Sequence, residues 1–126
     1  MDDKPAVLTL GDKQRLFTKL LPRLLDKLHE MGFQATLGDA YRDPRLHGPV
    51  GVRLGYGHPK SGHKLRLAID INLFIDTDGD GDLDYVETTE RHRPLGEWWE
   101  AQHPLCRWGG RFQDGNHYSI EHEGVK

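Results

Sequence analysis

The sequence predicts an α+β fold, in which a small, mainly antiparallel sheet packs against one long N-terminal helix and one shorter helix. Three patterns support this prediction. An apolar stripe with helical spacing fills the first quarter of the chain, short segments further along alternate between apolar and polar residues, and one apolar run has the length of a buried strand. With 126 residues, of which 36% are hydrophobic and 29% charged, the chain is expected to form one domain over residues 1–126.

The long helix is expected over Asp12–Glu30. Thr9 and Asp12 form a capping pattern at its start, and Gly32 supplies a stop after its end. Pro22 lies off the apolar stripe, so we expect it to kink the helix without interrupting it. The stripe itself consists of Leu16, Phe17, Leu20, Leu21, Leu24, Leu25, Leu28 and Met31.

Three further segments have the character of strands. Residues 33–37 and 117–121 alternate with a period of two, whereas Leu67–Phe74 is an apolar run that predicts a buried central strand. Residues 43–62 are rich in glycine, proline and basic side chains without a clear period, which is typical of a functional wall or lid in a small domain. The central strand contains Asp70, and burying this carboxylate is costly unless a cation or a metal ion pairs with it.

A short helix is expected over Arg93–Ala101, and residues 106–112 predict a strand or turn whose glycines permit close backbone approach. Trp98, Trp99 and Trp108 are interpreted as core residues, because no set of polar partners for a carbohydrate accompanies them.

Composition excludes several classes of function. The net charge is −3 and no dense basic stripe is present, so nucleic acid is not an expected partner. Cys106 is the only cysteine, which excludes an internal disulfide and a thiolate zinc site. The N-terminal residues lack the apolar segment of a secretory signal, and no run approaches the ~20 apolar residues of a membrane span. We therefore expect synthesis as a soluble cytoplasmic protein, without membrane insertion.

Candidate metal ligands come from two parts of the chain. His63 and Asp70 are seven residues apart around the start of the central strand, and His117 begins the last strand. Two histidines and one carboxylate are a common ligand set for catalytic zinc, which leaves the fourth position for water. Asp114, three residues before His117, is close enough to act as a general base. This spacing also arises by chance, and taken alone it favours surface histidines with a paired core aspartate.

Four short motifs, in this order along the chain, carry a family resemblance: Ser61-x-His63, Ala68-x-Asp70, Trp108-Gly109-Gly110 and Asp114-x-x-His117. Together they resemble the D-Ala-D-Ala and VanY-type zinc metallopeptidases, and more narrowly the phage endolysins that act as L-alanyl-D-glutamate peptidases. The similarity extends from the first helix to the closing strand. It implies the fold of the hedgehog/D-Ala-D-Ala peptidase group.

The resemblance implies a role for each matched residue. The zinc ligands would be His63, Asp70 and His117. Asp114 would be the catalytic base, Arg42 would face the substrate and the developing oxyanion, and Ser61 would line the substrate cleft. Many relatives carry a glycine where this chain has Arg66, so the local backbone geometry is expected to differ. The base is Glu or Asp across such enzymes, and the shorter Asp114 must lie nearer to the water.

Residues 76–87 match a twelve-residue calcium loop at every defining position, with Gly81 at the position of the sharp turn. A strand enters the loop, so we expect an inserted calcium loop rather than a complete helix-loop-helix hand; the alternative is a solvated acidic turn. The loop begins six residues after Asp70 on the same strand, so calcium is expected to order the strand end and modulate activity. The expected ligands are Asp76, Asp78, Asp80, Asp82 through its carbonyl, Asp84 through water, and Glu87.

The expected function is that of a zinc-dependent peptidoglycan hydrolase, a phage endolysin cleaving the L-Ala–D-Glu bond of the stem peptide. The alternatives are a D,D- or L,D-carboxypeptidase acting on the stem peptide, and a non-catalytic metal-binding module that recognises cell wall. We further expect a monomer that is made in the cytoplasm of the host bacterium and that, as the resemblance implies, reaches the wall after release. Its partner would be bacterial peptidoglycan, and its role bacteriophage lysis with antimicrobial action.

Overall fold

The computed structural model describes residues 7–43, 45, 49–53 and 60–126. Within these residues the chain has the predicted α+β architecture, with two helices, two short 3-10 helices and a five-stranded antiparallel sheet. In chain order the elements are α1 (Leu10–Glu30), β1 (Gln34–Leu37), η1 (Gly62–Leu65), β2 (Ala68–Ile75), β3 (Asp84–Val86), α2 (Thr89–Glu100), β4 (Cys106–Trp108), η2 (Gly109–Phe112) and β5 (His117–Ile120).

Helix α1 begins where the capping pattern predicts. The Asp12 N–H donates to Thr9 Oγ1 at 3.1 Å, and the Thr9 N–H donates to the Asp12 carboxylate at 2.9 Å. Because Thr9 is itself the cap, the first helical residue is Leu10, two residues before the predicted start. The helix continues through Pro22, and it buries four residues of the predicted stripe: Phe17, Leu20, Leu24 and Leu28.

Strand β2 is the centre of the sheet. The strands follow the order β1-β2-β5-β4. Strand β5 pairs with the first part of β2, and β3 pairs with the last part of β2. Ile69, Ile71 and Leu73 face the apolar core with the buried residues of α1. Asp70 lies between them and therefore points to the opposite face of the sheet, directly across from His117 in β5. The fold thus brings a carboxylate and an imidazole together on the face away from the helices.

Two elements differ from the prediction by more than a shift of one or two residues. Helix α2 begins at Thr89 rather than Arg93, because Thr88 is the last extended residue before it. Strand β3 was not predicted as a strand, since three residues are too few for an alternating pattern to be recognised. The core assignment of Trp99 and Trp108 is confirmed, as both are fully buried.

Half of the predicted wall or lid over residues 43–62 lies outside the described residues, which include 43, 45, 49–53 and 60–62 of it. Neither described helix is both long and apolar enough to cross a membrane.

Candidate metal centre

Three predicted ligands converge on the sheet face opposite the core. Nε2 of His63 lies 3.0 Å from Oδ1 of Asp70 and 3.2 Å from Nδ1 of His117. Nδ1 of His117 lies 3.5 Å from the same carboxylate oxygen. Both imidazoles are buried, and the side chain of Asp70 is 18% exposed. These three side chains can hold a metal ion.

The 3-10 helix η1 fixes the orientation of His63. The His63 N–H donates to Ser61 Oγ at 3.2 Å, so Ser61 caps η1. The ring Nδ1 of His63 lies 2.8 Å from the carbonyl oxygen of Ala40. A carbonyl can only accept, so Nδ1 carries a proton, and Nε2, on the side of Asp70 and His117, is the ring nitrogen that can bind a metal ion. Sequence reasoning did not identify Ala40, because any residue type can supply a carbonyl.

Backbone hydrogen bonds with one neighbouring segment hold both the N–H and the carbonyl of Asp70. The Asp70 N–H donates to the Asp39 carbonyl at 2.8 Å, and the Gly38 N–H donates to the Asp70 carbonyl at 2.8 Å. A Cβ at Gly38 would lie 3.1 Å from Cβ of Asp70, which is tighter than ordinary packing. The segment after β1 therefore continues alongside β2 and keeps the ligand carboxylate in place.

His117 is fixed by a tight turn that precedes β5. Its N–H donates to the Asp114 carbonyl at 3.1 Å, and the Asp114 N–H donates to the Gly109 carbonyl at 2.8 Å. A Cβ at Gly109 would lie 2.6 Å from Cβ of His117 and would overlap the Asp114 carbonyl. The glycine of the Trp-Gly-Gly motif is thus required by close backbone approach beside a candidate ligand.

The charge state of Asp70 suits an anionic ligand. Burial on its own raises the pKa of Asp70, but contacts with the imidazoles of His117 and His63 outweigh burial and lower the pKa to about 2. The carboxylate is therefore ionised at neutral pH. Two ring nitrogens and one carboxylate oxygen thus converge on one position, and a cation placed there can accept a lone pair from each.

Asp114 lies beside the three converging side chains but does not belong to the group. Its Oδ2 is 3.9 Å from Nδ1 of His117, and its side chain is half-exposed. Burial raises the pKa of Asp114; the imidazole of His117 opposes this shift, and the charge of Asp70 adds to it. A carboxyl with a raised pKa next to a metal centre can exchange protons with a substrate or water.

A cavity of about 410 Å³ opens next to this group, and its size is within the range of small-ligand sites. Residues lining it include Arg42, Ser61, Phe112, Asp114, His117 and Lys126. The predicted site residues Arg42 and Ser61 therefore share one cavity with Asp114 and His117. Arg42 is buried, and its guanidinium lies 3.3 Å from the Asp39 carboxylate.

Phe112 and Lys126 are cavity residues that sequence reasoning missed. The ring of Phe112 packs edge-on against His117, with 5.6 Å between the ring centres. The carbonyl of Lys126 accepts the Gly62 N–H at 3.0 Å, which ties the last described residue to η1. No motif marks either residue, since both lie at the cavity only through the fold.

The acidic loop joins β2 to β3 in a hairpin closed by the pair Ile75–Asp84. Within the described residues, carboxylate oxygens of Asp76, Asp78 and Asp84 lie within 4.8 Å of one another, so these residues can hold a metal ion. Because β3 is extended, rising by about 3.3 Å per residue, it carries Glu87 away from the start of the loop. The carboxylates of three other loop residues lie outside this group: Asp80, Asp82 and Glu87.

Asp76 organises the backbone of this loop. Its carboxylate accepts N–H groups from Gly79, Asp80 and Gly81 at 2.9, 3.2 and 2.8 Å. The φ angle of Gly81 is 89°, a left-handed conformation that glycine adopts without steric cost. The sharp turn therefore falls at the residue where the calcium-loop pattern predicts it.

No protein-family model matches the chain, and no curated protein matches its sequence. The class of protein is therefore argued from the fold and the site. They define a small α+β domain with a candidate metal centre of two imidazoles and one carboxylate, next to a cavity that also holds a half-exposed carboxyl group.

Proposed function

We propose that this chain is a zinc-dependent peptidoglycan hydrolase that cleaves the L-Ala–D-Glu bond of the stem peptide, as phage endolysins do. The observation that carries the proposal is the convergence of His63, Asp70 and His117 on one point, with Asp114 beside them in a cavity. The order of the four sequence motifs supports the choice of peptidoglycan. In this proposal the protein acts as a monomer and reaches the wall from the host cytoplasm after release.

The donor atoms fit zinc. Two imidazole nitrogens and one carboxylate oxygen are the ligand types of catalytic zinc sites, whereas calcium and magnesium prefer oxygen alone. In a tetrahedron with metal–ligand distances of about 2.1 Å, neighbouring ligand atoms are about 3.4 Å apart. The three observed separations of 3.0, 3.2 and 3.5 Å lie around this value.

When bound, zinc would supply Lewis acidity toward water and the scissile carbonyl. Asp114 takes the proton from the attacking water and returns it to the leaving amine, and its raised pKa suits both transfers. Arg42 lines the same cavity, where its guanidinium stabilises the negative charge that develops on the carbonyl oxygen. Ser61 holds η1 through the His63 N–H and borders the cavity at the first ligand.

Digestion of purified peptidoglycan tests the bond that is cut. Mass spectrometry is expected to show fragments with a free L-Ala carboxyl group and a free D-Glu amine. Release of terminal D-Ala alone would instead establish a carboxypeptidase. Binding to the wall with no fragments at all would establish a recognition module.

Asp114→Asn separates catalysis from binding. This change removes the base while keeping the size of the side chain, so we expect turnover to fall by at least about 100-fold with unchanged zinc stoichiometry. Asp26→Asn on the exposed face of α1 is the matched control and should retain full turnover. Equal activity in the two variants would remove Asp114 from the mechanism.

We also propose that calcium binds the acidic loop and modulates activity. The observation in its favour is the group formed by Asp76, Asp78 and Asp84 at the end of the strand that carries Asp70. Calcium titration of the zinc-loaded protein should give one site, which Asp84→Asn should weaken. Full activity in a chelator that removes calcium but leaves zinc bound would refute the regulatory role.

A further inference from the structure

Lys64 is a buried lysine directly after the candidate ligand His63, and its side chain is only about 5% exposed. Burying an ammonium group is costly unless hydrogen-bond acceptors replace the lost water. Two backbone carbonyls do so here. Nζ of Lys64 donates to the Pro49 carbonyl at 3.2 Å and also to the Val52 carbonyl.

Both carbonyls belong to a turn formed by Pro49–Arg53, which we name the 49–53 turn. The Val52 N–H donates to the Pro49 carbonyl at 2.9 Å, so this short segment has its own internal hydrogen bond. The side chains of Val50 and Val52 are 39% and 45% exposed. The turn is thus anchored through its backbone by Lys64 and presents two apolar side chains to its surroundings.

The anchor places the turn near the cavity. Lys64 directly follows His63 in the chain, and His63 pairs with Arg42 through the backbone. Arg42 lines the cavity beside the candidate metal centre, and its N–H donates to the His63 carbonyl at 2.9 Å. Lys64 therefore joins the 49–53 turn to η1, whose capping residue Ser61 also lines the cavity.

Other contacts hold η1 independently of Lys64. The Gly62 N–H donates to the Lys126 carbonyl at 3.0 Å, and Nε2 of Gln14 donates to the Leu65 carbonyl at 2.8 Å. The Lys64 ammonium, in contrast, reaches out to the turn. Removing it should release the turn while η1 and the metal ligands stay in place.

We propose that Lys64 is a positioning residue that fixes the 49–53 turn as a wall of the substrate cleft, where the turn contributes to binding of the peptide chain. This inference rests on the proposed peptidase function. It adds a binding surface, Val50 and Val52, that no sequence motif marks.

Lys64→Met is the direct test, because methionine keeps most of the side-chain length but has no donor. Loss of hydrogen bonds from a charged donor should speed hydrogen exchange at the Val52 amide by about tenfold or more. KM for stem-peptide substrate should rise by about fivefold or more, with kcat and the zinc Kd within about twofold of wild type. Lys64→Arg keeps the charge and should restore both exchange and KM at least in part, whereas Lys19→Met on the exposed face of α1 should change neither.

Several results would overturn the proposal. One is unchanged exchange at Val52 in Lys64→Met; another is a parallel loss of kcat and zinc affinity, which would mean that Lys64 supports η1 instead. If Lys64→Met does not fold, Val50→Ser tests whether the turn binds substrate, because an exposed side chain can be changed without unfolding the protein. KM for the stem-peptide substrate should rise in this variant, and an unchanged KM would refute the role of the turn as a wall. If the wild-type protein cleaves no peptidoglycan, the proposed function fails. Hydrogen exchange at the Val52 amide then remains the test of whether Lys64 anchors the 49–53 turn.

Discussion

Changing His92 to phenylalanine tests whether a buried neutral imidazole makes the fold sensitive to acid. His92 lies on α2 and is 2% exposed. Its Nδ1 is 2.9 Å from the hydroxyl oxygen of Tyr118, and it makes a hydrogen bond with the backbone of Val86. Burial lowers the pKa of His92 to about 4, and the bond with Val86 offsets only part of this shift. The folded protein therefore keeps this ring neutral at pH values where the unfolded chain protonates it.

The sign and size of the effect follow from proton linkage. The pKa of His92 is about 4 in the folded state and about 6.5 in an unfolded chain. The contribution of His92 to the free energy of unfolding is fully present above about pH 6.5. It is lost as the pH falls toward 4, because only the unfolded state gains a proton in this range. The complete loss is about 3 kcal/mol, and about 2 kcal/mol of it should be gone at pH 5.

Urea unfolding of the metal-free protein at pH 7.5 and pH 5 measures this loss. His92→Phe lacks the titrating ring, so its free energy of unfolding should fall by about 2 kcal/mol less than that of wild type between the two pH values. The variant will be weaker at both, because the buried hydroxyl of Tyr118 loses a partner, but this offset cancels in the comparison. His29→Gln, on the exposed part of α1, controls for the loss of a histidine. Equal pH dependence in wild type and His92→Phe would refute the reasoning.

Three other predictions follow from the packing and the site. Gly96→Ala should lower the free energy of unfolding in urea by about 3 kcal/mol, because the new methyl group would overlap the buried ring of Trp108. Arg66 has a φ of 57°, so Arg66→Gly should be more stable than Arg66→Ala by about 1 kcal/mol in the same assay; equal stabilities would contradict the strain argument. Zinc at 100-fold above its Kd should raise the free energy of unfolding by about 2.7 kcal/mol, and Asp70→Asn should abolish most of this gain, as measured by thermal unfolding with and without zinc.

Arg66 has a backbone conformation that favours glycine. The resemblance of the motifs to the metallopeptidases implies a glycine at this position, where this chain has Arg66. In the structure Arg66 ends η1 in the left-handed conformation, with φ 57° and ψ 35°, which glycine adopts freely and other residues adopt at a cost of roughly 1–2 kcal/mol. Its guanidinium lies 4.3 Å from the ring centre of Tyr41, and this contact offsets part of the cost. The end of η1 therefore requires a left-handed backbone conformation, and this chain meets that requirement with arginine.

The elements that sequence predicted best are those whose signals are local. The capping pair and the apolar stripe of α1 can be recognised from residues that are close together in the sequence. The same is true of the apolar run that forms β2. The site required more. His63 and Asp70 gave a spacing that chance also produces, and their meeting with His117 depends on the register between β2 and β5, which no local pattern encodes. Only the resemblance to the metallopeptidases predicted that these three side chains would meet.

Contacts in which a carbonyl distant along the chain accepts a hydrogen bond could not be predicted from the sequence. The carbonyl of Ala40 sets the tautomer of His63, and the carbonyls of Pro49 and Val52 hold Lys64. Every residue carries a backbone carbonyl, so the sequence does not show which carbonyls will accept such a hydrogen bond. Only the fold shows this. The same holds for β3, whose three residues become a strand because β2 offers an unpaired edge beyond β5.

The geometry of β2 also constrains how calcium in the acidic loop acts on the proposed reaction. Asp76 follows Asp70 by six residues, and an extended strand rises about 3.3 Å per residue, so the two carboxylates are about 20 Å apart. Charges at that distance are largely screened at physiological ionic strength, where the Debye length is about 8 Å. An influence of the loop on the metal centre, as proposed for calcium, must therefore pass through the order of the β2–β3 hairpin, whose closing pair is Ile75–Asp84, rather than through the charge of the loop. On this reasoning, raising the salt concentration should leave a calcium effect on activity intact, whereas breaking the β2–β3 pairing should remove it.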